Sequence, residues 1–129
     1  MQGKPVFAPM LAIPHGTTSI DFYLNAFGAI ELRRFSNDNG TIHVSELSIS
    51  GTLFHLHEDM ERVNVLSPAT VKATTISIGL FVENVQAVVD AAVAAGATIL
   101  TPVKDYDYGY RQAEIRDPFG HCWQIQKAI

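Results

Sequence analysis

The sequence predicts an α+β fold made of two βαβββ modules. The order strand, helix, strand, strand, strand occurs twice along the 129 residues. At an offset of 68 residues, the segment 26–32 matches 94–100, with alanine, glycine, alanine and leucine identical in register. At an offset of 69 residues, a second set of positions matches: Gly40 with Gly109, Gly51 with Gly120, Phe54 with Trp123, and Leu56 with Ile125. One module would leave a sheet face uncovered, so two are expected to pair.

In the first module, strands are predicted at residues 6–13, 29–35, 41–49 and 52–57, because these are apolar or alternate with a period of two. Pro9 indicates an edge position or a bulge in the first strand. A helix is predicted to begin at Thr17 or Thr18, either of which can cap it, and to end at Phe27 before Gly28. Its apolar stripe consists of Ile20, Tyr23, Leu24 and Phe27.

The second module follows a predicted surface loop, which is a natural place for a flexible lid. We predict a single domain with module one at about 5–58, the linker at 59–72 and module two at about 73–127. Module two has strands at 74–82 and 98–104, and a helix at 85–95 that Asn84 caps and Gly96 ends. Two further strands flank the turn from Arg116 to Gly120, in which Asp117 can accept from backbone N–H groups two residues on.

Composition excludes several classes of protein. The net charge is −4, and no cluster of lysine and arginine exists, so nucleic-acid and membrane partners are disfavoured. The single cysteine, Cys122, excludes an internal disulfide framework and a cysteine-based zinc site. No signal sequence or membrane span is evident, and the protein is expected to be cytoplasmic.

Paired modules are expected to form an eight-stranded half-barrel with helices on its outer face and a cavity on its inner face. Phe54 and Trp123 should back onto the helices, and the alternate residues His55 and Gln124 should face the cavity. The same alternation places further side chains inward: Ala8, Met10, Ser77, Gly79 and Phe81.

Other residues could reach this cavity. Glu114 and Arg116 share one face of the seventh strand and could act as a general base and as a clamp for a carboxylate or phosphonate, or simply pair with each other. His43 could also reach the cavity, or be a structural residue. The tyrosines at 106, 108 and 110 could gate the pocket, form a dimer contact or be solvated. His121 is expected to be exposed, and Cys122 to be packed and inert.

The chain resembles the vicinal-oxygen-chelate superfamily of glyoxalases, bleomycin resistance proteins and dioxygenases, and its PhnB-like branch in particular. The residues that carry the resemblance are Ser19-Ile20-Asp21-Phe22-Tyr23, Ala26-Phe27-Gly28-Ala29, Val82-Glu83-Asn84-Val85, Ala94-Ala95-Gly96-Ala97, Arg116-Asp117-Pro118-Phe119-Gly120-His121 and Trp123-Gln124-Ile125. The resemblance covers residues 6–126 and implies a homodimer, because chains of the superfamily commonly pair.

The resemblance also implies four metal-ligand positions, which fall at Ala8 or Met10, His55, Ser77 and Gln124. Only His55 is a good ligand for a divalent ion and Gln124 a fair one, so no tightly bound metal and no cofactor are predicted. His55 and His57, two residues apart, could chelate a metal together or simply line the cavity. A divalent metal is therefore possible but disfavoured, with His55, His57 and Gln124 as weak candidates.

Two functions are predicted. The first is a metal-free cup that binds a small aromatic or anionic molecule, as resistance proteins of the superfamily do. The second is a lyase, isomerase or dioxygenase that uses a divalent metal or the acid–base pair Glu114 and His55. The pocket is predicted to consist of Met10, His43, His55, His57, Ser77, Phe81, Tyr110, Glu114, Arg116 and Gln124.

Overall fold

The structure, a computed structural model, describes residues 3–129 and contains two βαβββ modules, so the predicted fold class is confirmed. The first module consists of β1 (Met10–Ile13), α1 (Asp21–Phe27), β2 (Ile30–Ser36), β3 (Ile42–Ile49) and β4 (Thr52–Glu58). A 3-10 turn (Glu61–Val63) and the helix α2 (Pro68–Val71) form the connection. The second module consists of β5 (Ser77–Phe81), α3 (Val85–Ala94), β6 (Thr98–Tyr106), β7 (Tyr110–Arg116) and β8 (Cys122–Ala128).

Each module folds into its own four-stranded sheet. The strand orders are β1–β4–β3–β2 and β5–β8–β7–β6. In each sheet, the first strand runs parallel to the last strand of its module, and the other pairs are antiparallel. Met10 pairs with His55, and Gly79 pairs with Gln124, so these pairs occupy equivalent places in the two sheets. The repeat seen in the sequence is therefore also a repeat of hydrogen-bond register.

One hydrophobic core joins the two sheets to α1 and α3, which pack against each other. The Tyr23 ring lies 5.5 Å from the Phe54 ring, and the Phe27 ring lies 4.7 Å from that of Trp123. The prediction that Phe54 and Trp123 back onto a helix is confirmed. Burying a large apolar side chain of this kind contributes roughly 1.5–3 kcal/mol.

Helix α1 begins later than predicted, at Asp21. The hydroxyl group of Thr17 donates to the Pro14 carbonyl at 2.7 Å, so it does not cap the helix. The Ser19 hydroxyl instead accepts from the Asp21 N–H at 3.2 Å. The face that α1 buries also differs from the predicted stripe, because Leu24 is exposed while Phe22 and Ala26 are buried. None of the helices within residues 3–129 is long and apolar enough to cross a membrane.

Strand β1 is shorter than the predicted segment 6–13 because it begins at Met10. Pro9 has no N–H to donate, but its carbonyl accepts from the His55 N–H at 2.8 Å. Ala8, which was predicted to face the cavity, is exposed and lies before the strand, so the alternation of β1 does not extend to it.

The connection between the modules, predicted as a surface loop, contains a 3-10 turn and a short helix that side-chain hydrogen bonds hold in place. The buried Asp59 carboxylate accepts from the Ser67 N–H and from the Thr70 hydroxyl, both at 2.6 Å. Ser67 caps α2 by accepting from the Thr70 N–H at 3.3 Å. The Ala69 N–H donates to the Phe119 carbonyl at 3.1 Å and so docks α2 on the turn between β7 and β8.

That turn is centred on Asp117, whose carboxylate is buried and joins the two modules. Its Oδ1 accepts from the Phe119 N–H at 2.9 Å, which confirms the predicted turn bond. Its Oδ2 accepts from the Tyr23 hydroxyl at 2.5 Å and from the Trp123 indole N–H at 3.0 Å. Burial, and then the Asp117 charge and hydrogen bond, raise the pKa of the Tyr23 phenol well above its usual range. Tyr23 is therefore protonated and donates to Asp117.

The prediction that His121 is exposed is wrong. Its side chain is buried, and its Nε2 lies 2.6 Å from the Ala12 carbonyl of the other sheet. A carbonyl can only accept, so Nε2 carries the proton that it donates. The bond links the start of β8 to β1.

Candidate functional site

The cross-strand register divides the predicted pocket residues between two rows, one on each sheet. On the first sheet, His55 pairs with Met10 on one side and with Glu46 on the other. On the second sheet, Gln124 pairs with Gly79 and with Glu114. Side chains that lie directly opposite each other share a face, so each row presents a glutamate beside a histidine or a glutamine.

Glu46 is a residue that the sequence analysis missed, although the sequence held a signal for it. The two-residue turn at Ser50 and Gly51 pairs Ile49 with Thr52, and counting back from this turn places Glu46 opposite His55. Glu46 is therefore the counterpart of Glu114 in the first module.

The predicted catalytic pair, Glu114 and His55, is divided between the two sheets of the chain. Glu114 and His55 lie on different sheets, and the Glu114 carboxylate accepts from the Thr101 hydroxyl at 2.9 Å. Of five cavities in the described part of the chain, none is lined by His55, Glu114 or Gln124.

At the four positions that the resemblance implies for metal ligands, the side chains do not fit a metal site of the superfamily type. The register places Met10 beside His55 and a glycine, Gly79, beside Gln124, while Ser77 lies one row further on, beside Cys122. A thioether is a soft donor, glycine has no side-chain donor, and an amide is a weak ligand for a divalent ion. Within residues 3–129, no three or more His, Cys, Asp or Glu side chains are arranged to hold a metal ion.

His43 and His57 instead belong to a cluster at the end of the first sheet, which we call the His–Glu cluster. Its members are His15, His43, His57, Glu58 and Glu61. Glu58 accepts from His15 Nδ1 at 2.9 Å and from His43 Nδ1 at 2.6 Å, and the rings of His43 and His57 lie 4.9 Å apart. The cluster lines an open cavity of about 410 Å³. No local pattern in the sequence indicates His15 as a member, because it lies 43 residues from Glu58.

The charges in the His–Glu cluster depend on one another. Partial burial raises the pKa of Glu58, but hydrogen bonds from His15, His43 and Asn37 outweigh this effect and lower the pKa to about 2. Hydrogen bonds to Glu58, and then to Glu61, raise the pKa of the exposed His15 imidazole. At neutral pH, Glu58 is therefore ionised.

Replacing Glu58 with glutamine is expected to lower the free energy of unfolding by about 1–2 kcal/mol near neutral pH, since water screens its half-exposed partners. Because the folded Glu58 pKa is depressed, its contribution is present above pH 4.5 and is lost as pH falls toward 2. Because the His15 pKa is raised, its contribution is present below pH 6.5 and is lost at higher pH. Urea unfolding across this pH range measures both contributions to the free energy of unfolding.

The control is Glu83→Gln, on an exposed residue of the other module, which should leave the dependence of the free energy of unfolding on pH unchanged. An identical effect of Glu58→Gln and Glu83→Gln would contradict the role given to Glu58.

Aromatic side chains form a platform at one end of the second sheet. The platform consists of Phe81, Tyr106, Tyr108 and Tyr110. The rings of Tyr106 and Tyr108 stack at 5.3 Å, and Tyr110 lies 6.0 Å from Tyr108 and 6.1 Å from Phe81. Tyr108 is 66% exposed and Phe81 is 62% exposed, so two large aromatic surfaces are open to solvent.

A buried amide pair holds the platform in place. Gln112 Nε2 donates to Gln126 Oε1 at 2.9 Å, and the Tyr108 hydroxyl donates to Gln112 Oε1. Gly79 allows this packing, because a Cβ atom there would lie 2.8 Å from Gln126 Nε2. The platform therefore has a defined orientation on the sheet.

Arg116 lies at the opposite end of β7 from the platform. It lines a cavity of about 330 Å³ with Lys72 and does not form the salt bridge with Glu114 that their spacing allows. The structure thus places Phe81 with Tyr110, places His43 with His57, and leaves Met10, His55, Ser77, Glu114, Arg116 and Gln124 outside both groups.

Comparison with known proteins identifies relatives across nearly the whole chain. The family model of the Glyoxalase/Bleomycin resistance protein/Dioxygenase superfamily matches residues 8–125. A protein of Mycobacterium bovis, named only as uncharacterized, is 32% identical over 129 residues, which cover 98% of this chain and 85% of the relative. A Mycobacterium tuberculosis protein, also named as uncharacterized, is 32% identical over 98% of this chain and 76% of its own length.

Solved structures share the fold. A gene product of Arabidopsis thaliana superposes with a TM-score of 0.72 at 26% identity, covering 95% of this chain and 98% of its own. The genomically encoded fosfomycin resistance protein FosX from Listeria monocytogenes superposes with a TM-score of 0.71 over 99% of this chain and 96% of its own. At 15% identity, the second likeness shows the fold alone.

Proposed function

Because the chain belongs to the glyoxalase/bleomycin resistance protein/dioxygenase superfamily, we propose that it binds a small aromatic molecule on the platform without a tightly bound metal. The observation that carries this proposal is the exposed, ordered aromatic surface formed by Phe81 and Tyr108. Aromatic rings stack favourably in offset or edge-to-face arrangements, and each such pair contributes about 0.5–1.5 kcal/mol beyond area burial.

The surroundings of the platform support recognition of a ring that carries a polar group. Lys104 Nζ lies 5.3 Å from the Tyr106 ring centre, so a cation adjoins the aromatic surface. The buried side chains of Gln112 and Gln126 are hydrogen-bonded to each other, and Gln112 fixes Tyr108 by accepting from its hydroxyl group. Apolar walls with a few convergent polar groups are typical of small-molecule sites.

Fluorescence titration with anilinonaphthalene sulfonate, an aromatic anionic dye, tests the platform. Tyr108→Ala and Phe81→Ala are each expected to weaken dye binding about ten-fold, because each removes a stacking surface. Phe7→Ala is the control, since Phe7 is an aromatic residue that is 91% exposed and lies before β1 in the first module. Equal loss in Tyr108→Ala and Phe7→Ala would show that the dye binds elsewhere.

The metal-free part of the proposal is supported by the poor donors at Met10, Gly79 and Gln124, and by the lack, within residues 3–129, of any group of three or more His, Cys, Asp or Glu side chains that could hold a metal ion. Elemental analysis of protein purified without chelator is expected to find no divalent metal near one equivalent. Stoichiometric zinc, nickel, manganese or iron that is lost in His55→Ala would overturn this part.

A second candidate function is acid–base catalysis at the His–Glu cluster. The specific observation is the 2.6 Å bond between His43 Nδ1 and the ionised Glu58, which orients the imidazole and leaves Nε2 free to exchange a proton. Turnover of the hemithioacetal of methylglyoxal and a thiol would be lost in His43→Ala and kept in His55→Ala. The reverse result would favour the pair of Glu114 and His55 that the sequence predicts.

We also propose a homodimer. The edge strand β2 exposes Ile30, Leu32 and Phe35, and exposed apolar residues on an edge strand can pair with a second chain. Sedimentation velocity would measure the assembly, and a monomer at working concentration would contradict the proposal. The PhnB-like branch and the cytoplasmic location stay predictions.

A further inference from the structure

A cavity of about 330 Å³ lies between α2 and the turn that joins β7 to β8. It is lined by Pro68, Ala69, Lys72, Ala73, Thr74, Arg116 and Gly120. The walls are ordered, because the Ala69 N–H donates to the Phe119 carbonyl and the Lys72 N–H donates to the Pro68 carbonyl at 2.6 Å. The docked connection therefore builds this cavity against the second module.

The cavity has an unbalanced charge. Lys72 and Arg116 are its only ionisable residues, and no carboxylate lines it. Within residues 3–129, neither cation forms a salt bridge, whereas Arg34, Arg111 and Lys127 each pair with a carboxylate. Two positive charges without a neighbouring carboxylate therefore line one cavity, in a chain whose net charge is −4.

The acidic residues nearest in sequence to Arg116 bond to other groups. The Asp117 carboxylate is buried against Tyr23 and Trp123, and Glu114 bonds to Thr101 across the sheet. Neither carboxylate lines the cavity, so the guanidinium of Arg116 is available to an anion from solution. Two positive charges that line one cavity attract a dianion more strongly than a monoanion.

We propose that this cavity is an oxyanion site in which Lys72 and Arg116 bind a phosphate or a similar dianionic group. Phosphate binding at this cavity does not depend on the proposed function. Only the link to the platform does, because Arg116 and the platform residue Tyr110 share a face of the second sheet. Arg116 and Tyr110 are six residues apart on β7, a span of about 20 Å along an extended strand. An elongated ligand with an aromatic ring at one end and a dianion at the other would reach both.

Amide chemical-shift titration of the full chain with inorganic phosphate, at constant ionic strength, tests the site. Phosphate is expected to shift the amides of residues 69–74 and 116–120, and to bind more tightly than acetate. Arg116→Gln and Lys72→Gln are each expected to raise the apparent Kd for phosphate about ten-fold, since each removes a charge-assisted hydrogen bond.

The matched control is Arg111→Gln, because Arg111 lies on the same strand but pairs with Asp105. Its phosphate affinity is expected to equal that of the wild type. Equal losses in Arg111→Gln and Arg116→Gln, or shifts scattered over the surface, would overturn the site by showing only general charge attraction. Tyr108→Ala separates the two proposals, because it should weaken dye binding while leaving phosphate binding intact.

Discussion

Replacing Asp117 with alanine is expected to lower the free energy of unfolding by about 3–5 kcal/mol, because a buried acceptor shared by several donors is lost. The side chain accepts four hydrogen bonds, from the Tyr23 hydroxyl, the Trp123 indole and the N–H groups of Phe119 and His121. Alanine would leave these donors without an acceptor. Because Tyr23 belongs to the first module and Trp123 to the second, the loss should affect both modules together.

Urea unfolding followed by the fluorescence of the single tryptophan, Trp123, measures this effect. Asp117→Asn should also destabilise the protein. If the asparagine oxygen kept the bonds from the two backbone N–H groups, its NH₂ group would face the Tyr23 hydroxyl and the Trp123 indole N–H, which are also donors. Asp105→Ala is the control, because that carboxylate is exposed, and its midpoint should stay near that of the wild type. An unfolding midpoint for Asp117→Ala equal to that of Asp105→Ala would contradict the central role of this carboxylate.

Replacing Gly120 with alanine is expected to cost about 3 kcal/mol, from a positive φ and from a steric clash. The residue has a φ of +93°, and an added Cβ would lie 2.8 Å from Pro68 Cβ and 3.1 Å from the Ala69 nitrogen. These contacts are made with backbone and with a rigid ring, so α2 must move away from the turn. Loss of the docked α2 should also weaken phosphate binding, because the same helix carries Lys72 at its end.

Gly16→Ala separates the two causes. Gly16 has a φ of +88°, and an added Cβ atom there would have no neighbour within 4 Å, so alanine carries the backbone cost alone. Urea unfolding measures stability, and amide hydrogen exchange of residues 59–72 reports whether α2 stays docked. Equal stability losses in both variants, with unchanged exchange in the connection, would show that the contact with Pro68 is unimportant.

Much of the fold could be predicted from local patterns. The repeated order of elements, the turn glycines and the period-two alternation predicted both modules, and the register places Met10 beside His55 and Gly79 beside Gln124. Helix α1 was less predictable. Thr17 looks like a cap, but its hydroxyl bonds to the Pro14 carbonyl, and a propensity for capping cannot reveal such a competing partner.

The candidate sites were less predictable than the fold. Alternation along a strand indicates which face a residue occupies, but it does not indicate what lies opposite that face. His43 was expected in a cavity with Glu114, and it bonds to Glu58 instead. Glu114 and Arg116 could have formed a salt bridge with each other. Instead, Glu114 accepts a hydrogen bond from Thr101, and Arg116 lines a cavity.

The two modules, their strand faces and the family could thus be read from the chain alone, because each depends on periodicity, turn chemistry and short motifs that act over a few residues. Which polar groups meet could be learned only from the folded molecule. His15 and Glu58 are 43 residues apart, and Tyr23 and Asp117 are 94 residues apart. Such contacts depend on how two sheets and two helices pack, and a side chain at a strand end can turn toward whichever partner satisfies it.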